Sequence, residues 1–416
     1  MKVIARSSSF KYKSKDVDPP EIAKALGVEA IVTGRVSQRG DDLQISAELV
    51  NASDKTQIWG AQYNRKASDL LHVQQEISKE IVEKLRLKLT SAEQQQIARR
   101  VSTNPEAYEL VLKGRFVGNK GVTEGRKQAH EYFQQAIAID PGYALAYAEL
   151  SSSYLQLAVN GVLDQKEAVS KAEVAAHRAL ELNDDLAEAH LALARCKQNE
   201  WDWATAESEF KRTIDLSPNL ATAHNGYSYY LSLVSRHDQA IAEVNRAREL
   251  DPLSVSNNLA VRLYFARKYD EAIAETKKAL EQDQNYPNGH IALGYIYAAK
   301  GMYSEAIEAY QNAIRLGDES TSTQIYLGEA FAKANQSEKA QSILRQLQTS
   351  QHYVSPAELA ILLAALGQRT EALASLEKAY SVHDLQLQFL SVDPGFDGLR
   401  TEPEFSDLLH RVGLTK

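Results

Sequence analysis

The stretch Ala187–Leu220, AEAHLALARCKQNEWDWATAESEFKRTIDLSPNL, decides how the rest of the chain is read. Leu193 and Ala194 on one segment, and Ala206, Phe210 and Ile214 on the next, fall at helical spacings. A turn at Trp201-Asp202-Trp203 separates the segments, and Pro218 closes the second. The spacing predicts a helical hairpin. An alanine in the same frame heads the second helix at Ala172, Ala206, Ala240, Ala272, Ala306, Ala340 and Ala372, at intervals of 34, 34, 32, 34, 34 and 32 residues. A fixed period of this length marks stacked hairpins.

Read outward, the frame gives units at 187–218, 221–252, 253–286, 287–318, 321–350 and 355–382. A looser first unit runs from Tyr108 to Pro141, with Ala129, Phe133 and Ala136 on its second helix. Ala172 lies 43 residues after Ala129, so the unit between carries an insertion around Val159 to Lys166, expected as a lip on the array. A two-residue deficit in LSVSNN (253–258) shortens the first turn of a helix. Small residues at Ala194, Ser228, Ala260, Gly294, Gly328 and Ala360 mark where paired helices approach most closely. Each hairpin leaves apolar surface for its neighbour to bury, so stability is expected as a nearest-neighbour sum and the ends need caps. The tail Asp393–Leu414, with Phe396, Leu399, Phe405, Leu408 and Leu409, is the expected C-terminal cap.

Residues 1 to about 66 have a strand-like rhythm instead. Lys2–Phe10 reads as a strand, Pro19 to Gly27 as a short helix, and Val28–Ser37, Leu43–Ala52 and Thr56–Tyr63 as three strands joined by turns at Arg39–Asp42 and Asn51–Asp54. Leu43, Ile45, Ala47 and Leu49 alternate with polar residues, giving one face to bury. A helix from Ser68 and Asp69 with a stripe of Leu71, Gln74/Gln75, Ile77, Ile81, Leu85 and Leu89 is the expected cover.

With 416 residues, 44% hydrophobic and 25% charged, the composition is that of a folded protein. A net charge of −8 argues against a nucleic-acid partner, which needs a basic face. No stretch reaches the roughly 18 apolar residues that span a bilayer, so membrane insertion is not expected. The single Cys196 excludes an internal disulfide or multi-cysteine metal site and is expected to pack. There is no HExxH, and Gly114, Gly118 and Gly121 fit no phosphate-binding pattern. The S-x-x-K run at Ser8–Lys11 lies on the expected strand, and His72 with Glu76 reads as a solvated helical contact. No catalytic residue, metal or cofactor is expected.

Two long runs, VIARSSSFKYKSKDVDPPEIAKALGVEAIVTGRV (3–36) and LQISAELVNASDKTQIWGAQYNRKASDLLHVQQEISKEI (43–81), closely resemble the α/β domain that precedes tetratricopeptide repeats in many bacterial signalling proteins, a domain similar to the amino-terminal domain of TolB. The resemblance continues through FARKYDEAI (265–273), YVSPAELAILLAALGQRTEAL (353–373) and FLSVDPGFDGLRTEPEFSDLLHRVGL (389–414). It implies a mainly α chain: a TolB-N-like α/β domain with a linking helix over 1–100, a right-handed tetratricopeptide-repeat superhelix of about eight hairpins over 101–390 and a cap over 391–416. In this family the α/β domain commonly follows an adenylate-cyclase, protein-kinase or winged-helix module, and starts with a further strand and helix. Neither precedes Lys2 here, which reads as a fragment or a late start codon, with a natural short form that leaves a sheet edge exposed as the alternative; self-association through that unpaired edge is a further expectation.

First helices line the inner curve of such superhelices. Their non-packing positions are Leu191, Arg195, Gln198, Asn199, Asn225, Tyr229, Asn257, Ile291, Tyr295 and Glu329. Asn can clamp main-chain groups in both directions and Tyr adds contact area at low entropy, which suits a protein or peptide partner. The expectation is a non-enzymatic interaction scaffold in a bacterial signalling system. The alternative is the non-catalytic part of an adenylate cyclase or Ser/Thr protein kinase whose catalytic domain lies upstream. The sequence reads as cytoplasmic, or periplasmic if a membrane anchor precedes it.

Overall fold

The computed structural model describes residues 18–66, 104–118, 123–252 and 256–415, with isolated positions 4, 8, 9, 12, 73, 76, 77, 80, 81, 84 and 102. Helix α1 (Pro19–Leu26) starts on two prolines, whose fixed φ suits a first turn. Gly27, at φ 62°, ends it in the left-handed region. Strands β1 (Ala30–Arg39), β2 (Asp42–Asn51) and β3 (Gln57–Lys66) follow as an antiparallel sheet in that order. Arg39 pairs with Asp42 across the tight Gly40-Asp41 turn.

Leu43, Ile45, Ala47 and Leu49 are buried with Trp59 and Tyr63 from β3. Val73, Ile77 and Ile81 are helical and pack onto this face, and Glu80 accepts hydrogen bonds from Trp59 Nε1 (2.8 Å) and the Tyr63 hydroxyl (3.2 Å). The covering helix therefore stands where the stripe placed it, although Leu71, Gln74, Gln75, Leu85 and Leu89 lie outside the described residues, as does His72. On β1, Val32 and Val36 pair with Leu49 and Ile45 and so share the apolar face, yet are 51% and 62% exposed. The expected strand at Lys2–Phe10 is not supported where it is described: Ser8 and Ser9 are helical. Serine hydroxyls compete with strand ladders by finding other partners, and Ser8 Oγ donates to Asp251 Oδ1 at 2.5 Å.

Among the described residues eight helix pairs then follow. They are α2 (Pro105–Gly118) with α3 (Thr123–Ile139), α4 (Ala144–Val159) with α5 (Gln165–Leu182), α6 (Ala187–Asn199) with α7 (Trp203–Leu216), and α8 (Ala221–Leu233) with α9 (His237–Leu250). The second half comprises α10 (Asn258–Phe265) with α11 (Tyr269–Gln282), α12 (Pro287–Ala299) with α13 (Tyr303–Arg315), α14 (Thr321–Lys333) with α15 (Ser337–Gln348), and α16 (Pro356–Ala365) with α17 (Arg369–Ser381). Ala194, Ser228, Ala260 and Ala360 are buried at the crossings. A Cβ on Gly294 would overlap the Tyr310 ring, and one on Gly328 would sit 3.0 Å from Leu362. The insertion is absorbed mainly by lengthening α4 and α5 to 16 and 18 residues, against 13 and 14 in α6 and α7. The deficit leaves α10 with 8 residues.

After α17 the chain forms two 3-10 turns, Leu385–Phe389 and Pro394–Leu399, and a last helix, α18 (Pro403–Arg411). Phe396, Leu399, Phe405 and Leu408 are buried against the final repeats, the part expected of a cap. The segment goes further than a cap. Leu385 packs with Leu155, Val169 and Cys196 of α4, α5 and α6, and Val392 packs with Leu233, Leu263 and Ile296 of α8, α10 and α12. Residues 384–412 therefore run along the inside of the superhelix. Among the described residues no helix is long and apolar enough to cross a membrane.

Candidate partner-binding groove

The inner surface is made by the first helix of each pair, and its side chains meet the returning segment. Gln198 is buried and donates from Nε2 to Gln388 Oε1 at 2.9 Å. The Asn199 carbonyl pairs with His383 Nε2 at 2.8 Å, while its own Nδ2 donates to the Arg195 carbonyl. Tyr229 meets Phe389 edge-to-face, with ring centroids 5.8 Å apart, and the Arg262 guanidinium lies over the same Tyr229 ring, 4.9 Å from its centroid. Deeper along the groove, Tyr295 packs edge-on to Tyr326 at 4.4 Å. Asp393, brought in by the segment, accepts hydrogen bonds from Tyr264 (3.1 Å), Tyr326 (2.8 Å) and the Gly395 N–H (2.8 Å).

The other residues singled out from the sequence are placed less uniformly. Leu191 lies in the core with Phe210 and Tyr230 instead of on the groove wall, because its position on α6 faces α7 and α8. Asn257 is buried and donates to the Asn288 carbonyl at 2.6 Å, bridging consecutive repeats. Asn225 is half-buried, with its side-chain oxygen unpartnered and its carbonyl bonded by Ser228. Arg195 is half-buried and burial lowers its pKa. Ile291 is partly exposed. Glu329 lines a cleft of about 130 Å³ beside Tyr310 and Pro394, and burial, with Asp393 nearby, raises its carboxyl to about 8.

Three contributors went unnoticed in the sequence. Glu358 of α16 is 6% exposed and takes the Ser322 hydroxyl at 2.6 Å; burial, with Asp384 and Asp393 facing it, raises its carboxyl to about 8. Asp384 accepts from Ser355 Oγ (2.6 Å) and from the Ala357 and Gln386 N–H groups, which fixes the point where the segment turns inward. Gln165 at the start of α5 accepts the Leu385 N–H at 3.1 Å. The alternation Leu385, Leu387, Phe389 behind an Asx cap was the available signal.

Trp201 and Trp203, placed at the turn between α6 and α7, reach the segment that follows α17. Trp201 stacks on His383 (4.0 Å) and Tyr380 (5.5 Å), and Trp203 Nε1 donates to the Val412 carbonyl at 2.7 Å. Cys196 is fully buried, which pushes its thiol up to about 12 and leaves it no nucleophilic role.

The geometry defines a helical-repeat protein with an occupied inner groove, and comparison with known proteins agrees on the repeat. The tetratricopeptide repeat family matches residues 287–320. A Rhizobium meliloti (strain 1021) protein named as adenylate cyclase 3 is 34% identical over 149 residues, which is 36% of this chain and 25% of that protein. The transcriptional regulator HilA of Salmonella typhimurium is 25% identical over 143 residues, 34% of this chain and 26% of that one. The matched region thus spans about a quarter of these relatives. Among solved structures, a monomeric IFIT1 mutant with m7Gppp-AAAA superposes with a TM-score of 0.54 at 14% identity, covering 83% of this chain and 86% of that one, a likeness of fold.

Proposed function

We propose that the chain is a non-enzymatic scaffold whose inner repeat surface recognises a protein or peptide partner, as the regulatory part of a bacterial signalling protein. The seat given to residues 384–412 carries this reading. A groove of first helices accepts an irregular segment through amide contacts at Gln198, an aromatic contact at Tyr229 and paired tyrosine hydroxyls on Asp393. Those are the contacts by which a helical-repeat surface holds an extended ligand. The partial matches to a protein named as an adenylate cyclase and to a transcriptional regulator support an effector module beside this region. The alternative, the non-catalytic part of a cyclase or kinase, rests on the first of them. Self-association along the edge of β1 belongs to the same proposal, as does a cytoplasmic or anchored periplasmic setting.

A photo-crosslinking amino acid at Ile291, one of the proposed groove positions, and another at Val174, exposed on the second helix α5, separate the readings. Installed in the producing bacterium, the probe at Ile291 is expected to give a discrete protein adduct that the Val174 probe lacks. Identical adduct patterns from both positions, or none, would refute recognition at the inner surface.

A further inference from the structure

Where the returning segment crosses α10, α12, α14 and α16, it closes a cavity of about 250 Å³. Tyr264, Tyr295, Tyr326 and Phe389 supply aromatic wall, and Glu358 and Asp393 supply the carboxyl groups. The tyrosines cannot turn freely. Tyr264 and Tyr326 are both anchored through their hydroxyls on Asp393, and Tyr295 is wedged between them at centroid distances of 6.2 and 4.4 Å. Aromatic faces carry negative charge density, so such a wall attracts a cation and has no comparable attraction for an anion.

The two carboxyl groups differ in how well they are satisfied. Asp393 has three donors, whereas Glu358 uses Oε2 for Ser322 and has no hydrogen-bond partner for Oε1 among the described residues. Neither carboxyl has an ion-pair partner among them. Arg267 is engaged by Asp397 at 2.8 and 2.9 Å, and Arg262 by Ser228 and the Tyr229 ring. A buried carboxyl with a free oxygen facing an aromatic cavity is short of a positive partner. Burial raises the Glu358 carboxyl to about 8, so near neutral pH it holds a proton that a bound cation must displace, and cation binding should tighten as pH rises through that value. The adjoining cleft shares Tyr264, Tyr295 and Tyr326 and adds the buried Tyr310 hydroxyl, which has no partner. It gives a polar tail somewhere to go.

We propose that this cavity is a binding site for a small organic ammonium ion, its cationic head held against the tyrosine faces beside Glu358. A bare metal ion fits less well, since among the described residues no three His, Cys, Asp or Glu side chains converge for one, and aromatic walls offer no ligand atoms. The volume is below the usual range for drug-sized ligands of roughly 300–1,000 Å³, which limits the guest to a few heavy atoms around the charge. The cavity lies beneath the returning segment and shares Tyr295 with the proposed groove, but its guest is a small cation and not the peptide partner.

The test uses the full chain with choline and n-butylammonium as probes, each paired with a neutral counterpart of similar shape, 3,3-dimethyl-1-butanol and 1-butanol. Calorimetric titration and thermal melts are expected to show binding and a raised Tm for at least one cation and none for its counterpart. At pH 9, where Glu358 is ionised, Glu358→Gln keeps an acceptor for Ser322 and should weaken cation binding about tenfold or more. Tyr295→Leu keeps apolar volume without the aromatic face and should do the same. Equal binding of cation and alcohol would make the cavity merely apolar and overturn the proposal. It would also be overturned by the absence of binding to either cation, or by cation binding that survives both substitutions in variants whose helicity matches the parent.

Discussion

Single residues carry much of the repeat geometry, most visibly at the turn inside each hairpin. Trp201, Ser235, Arg267, Gly301, Asn335 and Gly367 all lie at positive φ, between 59° and 80°. They recur with the same 34- and 32-residue spacing as the alanines. In each case the next residue's N–H closes back onto the first helix, as Arg236 does on the Leu231 carbonyl (2.8 Å) and Met302 on Tyr297 (2.8 Å). Side chains with a Cβ cost about 1 kcal/mol there, so Ser235→Gly should stabilise the protein by about 0.5–1 kcal/mol, read as a small rise in Tm. An unchanged or lower Tm would mean that the hydroxyl or its neighbours compensate. Trp201 is the instructive exception, because its ring stacks on His383 and Tyr380, a contact that glycine would lose.

Titratable residues give the same scale a pH dependence. His190 and His224 repeat one arrangement: burial opposes their charge, but carboxylates of Glu209 and Glu243 at 2.6 Å and carbonyls of the preceding turn raise both pKa values above normal. Burial raises Glu358 and Glu329 to about 8. All four groups bind protons more tightly folded than unfolded, so their stabilisation is complete below the unfolded pKa and is lost as pH rises through the folded one. Scanning calorimetry should therefore find Tm falling between pH 6 and 9, and Glu358→Gln should flatten part of that slope. A Tm that climbs over this interval would contradict the assignment.

At the scale of helices and strands, close approach decides what is tolerated. Gly294 faces the fully buried Tyr310 ring, which cannot swing aside. Gly294→Ala should cost on the order of 1–3 kcal/mol through overpacking, measured by chemical denaturation, with Ala360→Gly as a milder control. These crossings were legible in the sequence because a short side chain recurs where the packing demands it, as were the sheet's buried face and the shortened α10; the insertion was legible in its place but was expected as a lip, whereas it mainly lengthens α4 and α5. The groove was legible only as a surface. Its occupant, the cage around Glu358 and the core position of Leu191 depend on which way the superhelix curves and on how far the tail reaches. Neither has a local period, so spacing arguments could not reveal contacts such as Gln165 with Leu385 or Gln198 with Gln388.

For the molecule as a whole, the returning segment alters what kind of object the repeat array is. The array was expected to have two ends and a stability summed over neighbours, yet Trp201 and Trp203 in the third pair hold His383 and Val412, and Gly161 at the lip lies against Tyr353. The inner segment thus touches early, middle and late pairs together. Open solenoids can nucleate anywhere and fray from their tips. Here the closure joins residues separated by about half the chain, and such non-local links require loop-closure entropy to be overcome before they stabilise anything. The consequence is kinetic: folding of the repeats should await the segment after α17, with native topology locked late and loss of that segment releasing several pairs at once.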